Sequence, residues 1–151
     1  MLTPSQVFFG LTLFAMAVWV FAFWRGGLAE RWGAAVIMAN QLLTILVVVI
    51  ERARPGPINV LVQLGLDGVT ALALLGILLR FGRAWLGIAM LLYAGQFTLQ
   101  SVYLVAEIKK DALHVLLNNL NFVAIHLALV AGTVQHWLRV RKAALQPATE
   151  G

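Results

Sequence analysis

Asp67 stands near the middle of an apolar run, Ile58–Leu79. At that depth a lone carboxylate is opposed by about 2.5–3.5 kcal/mol on insertion scales, so it either finds a hydrogen-bond donor or keeps its proton. Gln63 and Thr70 flank it at helical spacing and share its face, and Gly65 and Gly68 thin the helix beside it. On the following run Tyr93, Gln96, Gln100, Tyr103 and Glu107 succeed one another at steps of three or four residues, a continuous polar stripe down one helix. The last run offers His114, Asn118 and Asn121 on one line and Asn119, His126 and Thr133 on another, with His126 near mid-span.

Two kinds of chemistry suit these residues. In the first, Asp67 and His126 titrate as a proton relay, or line a polar solute path whose walls are the Gln, Asn and Tyr side chains. In the second, the amides and hydroxyls are interhelical hydrogen-bond glue, each bond contributing roughly 0.6–2 kcal/mol, while small residues such as Gly87, Ala94 and Gly95 allow close approach. Counted at about 1.5 Å per residue from each helix end, Asp67 and His126 fall at similar depths. They are expected to meet if the third and fifth helices touch. Asn40 and Gln41, adjacent in sequence, point to different faces of the second helix.

The elements that position these side chains are five apolar stretches, Gln6–Trp24, Gly33–Ile50, Ile58–Leu79, Ala84–Ala106 and Ala112–Leu138. Each is about long enough to cross the hydrocarbon layer of a bilayer. Between them lie RGGLAERW, ERARPGP, RFGR and EIKKD, which hold most of the charged residues. Pro55-Gly56-Pro57 breaks the chain between the second and third helices. Links this short force successive helices to lie antiparallel and adjacent. The expected fold is all-α: a polytopic transmembrane bundle of five antiparallel up-and-down helices in a single domain over residues 1–142, followed by a flexible tail over 143–151. In a four-span alternative the shortest stretch, the second, is re-entrant or interfacial.

With 62% apolar residues, 11% charged residues and a mean hydropathy of +0.90, the chain lies far from soluble domains. Its net charge of +5 would suggest nucleic acid in a soluble protein, but here Arg and Lys sit at helix ends, where they meet headgroups and set topology. The first and third links and the tail together hold seven Arg and Lys, against four on the opposite face. The N-terminus is therefore expected outside and the C-terminus in the cytoplasm, in a bacterial inner membrane. Trp24, Trp32, Trp85 and Trp137 fall at segment ends, as an interfacial belt would place them, and Trp19 does not. The first stretch, with no basic residue ahead of it, reads as a retained helix rather than a signal peptide.

Several activities find no footing. There is no cysteine, which removes thiolate metal sites, iron–sulfur clusters and thiol nucleophiles. The lysines, at 109, 110 and 142, lie beside or beyond helix ends and suit no retinal Schiff base. All three histidines occupy the last stretch, so bis-histidine haem ligation within one chain is disfavoured, although a dimer would supply a second His126. Glu107, Asp111 and His114 read as a solvated turn with Asp111 near a helix N-terminus rather than as a zinc site. Ser5 and Ser101 lack a nucleophile context. No enzyme activity, cofactor or metal is expected. The expected role is a helical subunit or scaffold of a membrane assembly, with lipid and other membrane subunits or further copies of itself as partners. The alternative is a small oligomeric transporter or proton-linked channel using Asp67 and His126.

Overall fold

The computed structural model describes residues 4–53, 58–107 and 111–145. Five helices account for them: α1 (Pro4–Arg25), α2 (Leu28–Ala53), α3 (Ile58–Phe81), α4 (Ala84–Val105) and α5 (Ala112–Leu145), with no strand among the described residues. All five are long and apolar enough to cross a membrane, and the chain is a helical membrane protein. The four-span alternative does not hold, because α2 is continuous and longer than α1, α3 and α4.

Each helix packs on its neighbour in sequence and α1 closes against α5, so the five form a ring, with α2 also touching α5 across the interior. The α1–α2 link is Gly26 and Gly27 alone. The α3–α4 link is Gly82 and Arg83, and Gly82 takes φ +60° where its N–H donates to the Leu78 carbonyl at 2.7 Å. That left-handed position is the ordinary glycine end to a helix. The break at Pro55-Gly56-Pro57 and residues 146–151 of the expected tail lie outside the described residues.

Two boundaries differ from those the apolar pattern predicts. α2 starts at Leu28 instead of Gly33, and α5 runs on to Leu145, absorbing the first residues of the expected tail. The early start of α2 has a local cause. Glu30 Oε2 accepts the Gly27 N–H at 3.1 Å, the reach-back of a capping box, and its negative charge sits in the first turn where the helix dipole favours it. Its other oxygen accepts the Trp85 Nε1–H at 3.2 Å, and the side chain is 1% exposed. A glutamate that reads as a linker residue is thus a buried helix cap.

Among the described residues the ring packs tightly at one end and leaves a cavity toward the other. At the packed end, formed by the C-termini of α1, α3 and α5 and the N-termini of α2 and α4, Ala22, Ala29, Ala34, Ile37, Leu86 and Leu129 pack to near-zero exposure around Trp85. Gly33 on α2 and Gly132 on α5 face the indole, and a Cβ on either would overlap it. Trp85 is therefore a core residue at 4% exposure rather than a member of the interfacial belt, whereas Trp24 and Trp32 point outward. The small residues expected to bring helices together do so unevenly: Gly87 lies against Leu78, while Gly95 faces open space and Ala94 is exposed.

Helix association in lipid rests on contact and hydrogen bonding, since lipid tails are as apolar as the side chains. Gly132→Ala should therefore lower stability by about 1–3 kcal/mol through overpacking, measured by reversible unfolding in mixed micelles. A Trp85→Ala background, which removes the ring atoms Cγ and Cδ1 from the contact, should reduce that difference.

Candidate functional site

The half of the ring away from Trp85 holds a cavity of about 580 Å³. Its walls come from all five helices: Phe8 and Thr12 of α1, Asn40, Gln41 and Thr44 of α2, Gln63 and Asp67 of α3, Tyr93, Gln96 and Gln100 of α4, and Asn118, Asn119, Asn121 and Ile125 of α5. Near the membrane surface it reaches Val48 and Val49 at the end of α2 and His114 and Val115 at the start of α5. Ala15, Ile37 and Leu129, farther along α1, α2 and α5, belong to the packed core. It is a recess in the half of the bundle away from Trp85, with Asp67 and a set of amide side chains set into a largely apolar wall.

α4 organises the polar wall. Gln100 Nε2 donates to Asp67 Oδ2 at 2.9 Å, joining α4 to α3. Asn40 of α2 lies within hydrogen-bonding reach of Asp67 and donates to the Tyr93 hydroxyl at 3.5 Å. Gln96 Nε2 donates to Asn118 Oδ1, and Asn121 Nδ2 donates to Gln96 Oε1 at 3.1 Å, tying α4 to α5. Asp67 thus finds its donors in two amides, and the helical spacing of Tyr93, Gln96 and Gln100 lets one helix serve three partners. No Lys or Arg is found among the described residues of the wall.

Of the residues singled out by sequence, Asp67, Gln63, Gln96, Gln100, Asn118 and Asn121 come together in this wall. Asp67 and His126 do not meet. α3 packs on α2 and α4, while α5 packs on α4 and α1, so α4 stands between them. His126 lies deeper, 1% exposed, beneath Phe14, Trp19 and Phe122, with ring centroids at 5.9, 5.9 and 4.3 Å. Its Nδ1 is 2.8 Å from the Phe122 carbonyl, an acceptor, so Nδ1 carries the proton there. Nε2 is buried with no hydrogen-bond partner. A relay through an Asp67–His126 pair has no geometric basis.

Tyr103 is not a cavity residue either. Its hydroxyl donates to Asp111 Oδ1 at 3.0 Å and its ring packs on His114 at 4.5 Å, where α4 ends and α5 begins. Asp111 Oδ1 also accepts the His114 N–H at 2.8 Å, which makes Asp111 the N-cap of α5. Among the described residues no group of His, Asp and Glu is arranged to hold a metal. The residues that sequence reasoning passed over as wall members are Asn40, Gln41 and Thr44, a polar interruption in an otherwise apolar helix, and Tyr93 at the head of the α4 stripe.

The chain matches no protein-family model, no curated protein and no solved structure, so the geometry carries the functional reading alone.

The His114 N–H, and after it the Tyr103 hydroxyl, hold the Asp111 carboxyl below its ordinary range. A carboxyl depressed in the folded state contributes stability that is present above its unfolded value, near 3.9, and lost as pH falls through the folded one. Amide exchange at His114, corrected for its intrinsic rate, should accelerate on acidification through that window. Asp111→Asn, which retains a capping oxygen, should remove the pH dependence.

Proposed function

We propose that this protein is a non-enzymatic membrane-embedded binding unit that takes a hydrogen-bonding molecule into the recess and serves its movement into or across the membrane. The observation that supports this reading is the 580 Å³ recess itself, with a carboxylate and an array of amides converging on it at membrane depth. Interhelical hydrogen bonding needs no space beside the bonded groups, whereas here Asp67 and the amides border an unfilled volume. The tight packing around Trp85 also favours a carrier over an open channel, since release on that side requires the Trp85 end to part. The scaffold or subunit reading draws support from the bonds Gln96 makes to Asn118 and Asn121, which already act as interhelical glue. In a bacterial inner membrane, the charge bias of the links favours a cytoplasmic C-terminus, with the recess in the outer half of the bundle.

The cysteine-free sequence gives a clean background for the test. Gln63→Cys and Asn118→Cys should react with a membrane-impermeant thiosulfonate from the outer face only, and Ala34→Cys and Leu129→Cys from neither. Ethanolamine, choline and glycerol, tried as polar probes, should include one that protects Asn118→Cys from the reagent and raises the melting temperature. Asp67→Asn should weaken that protection about tenfold, the loss of one charge-assisted hydrogen bond. If no probe protects, Asp67→Asn leaves stability unchanged and a partner copurifies in mild detergent, the scaffold reading takes its place.

A further inference from the structure

A second cavity, about 370 Å³ and almost wholly apolar, lies on the seam between α1 and α2. Trp19, Phe23, Met38 and Leu42 shape it, and the exposure of Val20 at 65% and Leu42 at 54% shows that it faces the bilayer. The α1–α2 contact is looser than those along α2–α3 and α3–α4. Thr12, Gln41 and Ile45 line both this groove and the polar recess. The two spaces are therefore neighbours across a single layer of side chains, one bordered by Asp67 and the amides, the other almost wholly apolar and open to lipid.

From this adjacency we infer that the ligand is a membrane amphiphile admitted sideways between α1 and α2: its alkyl chain lies in the groove and its head group passes Thr12 and Gln41 into the recess. The head carries hydrogen-bond donors and no negative charge, a protonated amine fitting best. Asp67 and the side-chain oxygens of Gln63 and Asn118 are acceptors for such donors, and no described wall residue is a Lys or Arg that would match an anion. This inference rests on the proposed binding role of the recess and adds the ligand's class and its route.

A chain that moves from bilayer to groove exchanges one apolar surround for another, so chain length alone gives little affinity. The informative change is one that fills the groove. In nanodiscs carrying the full protein, saturable binding above that of empty discs is compared for dodecylamine, ethylamine and laurate. Dodecylamine should bind, laurate at least about tenfold more weakly, and Asp67→Asn should cost dodecylamine about tenfold, the scale of one lost charged hydrogen bond. Leu42→Trp and Val20→Trp, both on the lipid-facing rim, should weaken dodecylamine and leave ethylamine unchanged. Equal binding of ethylamine and dodecylamine, untouched by either Trp substitution, would overturn the amphiphile while leaving the polar recess as a binding site. Preference for laurate would overturn the head-group assignment. Absence of all binding, with Asp67→Asn silent, would overturn both this inference and the reading on which it rests.

Discussion

The indole of Trp85, held between Gly33 and Gly132 with its N–H on Glu30, is the contact on which the rest of the structure depends. Helices in lipid gain nothing from hiding apolar surface from water, so they associate where backbones approach closely and where polar groups find partners. One large ring against two bare backbones supplies the first. The Glu30 carboxylate, which also caps α2, supplies the second. Four of the five helices meet there through alanines and glycines, and that end of the ring is thereby fixed independently of the other. The other half can then hold space without the bundle coming apart.

Held at one end, the helices are tied at the other by side chains rather than by packing. α4 bonds to α3 through Gln100 and Asp67, to α2 through Tyr93 and Asn40, and to α5 through Gln96 with Asn118 and Asn121. α1 presents Phe8, Leu11 and Thr12 to the recess. The amides that line the recess come from α2 to α5, and the seam of α1 with α2 is apolar. The asymmetry of the walls follows directly from which helices carry amides at helical spacing.

Much of this was legible in the chain. The five spans follow from apolar run lengths, and the stripe Tyr93, Gln96 and Gln100 follows from its period, because both depend only on local spacing. Glu30 escaped because charge at a helix end ordinarily marks water, whereas here a capping bond and an indole N–H take the place of water. Trp85 escaped for a related reason: an aromatic residue at the first turn of a span looks the same whether it faces headgroups or a glycine pocket on two other helices. The supposed Asp67–His126 pair shows the limit of depth arithmetic. Depth along a helix says nothing of azimuth, and short links that make successive helices neighbours leave α4 between α3 and α5.

α5 holds 34 residues, about 51 Å at the α-helical rise, and a hydrocarbon layer is about 30 Å thick. The same unbroken rod carries Asn118 and Asn121 in the recess wall, Gly132 against the indole, and Arg139, Arg141 and Lys142 just past the apolar stretch. There is no proline or other joint along it. Whatever grips the basic post on one side of the bilayer therefore takes hold of a lever whose far arm forms part of the chamber on the other.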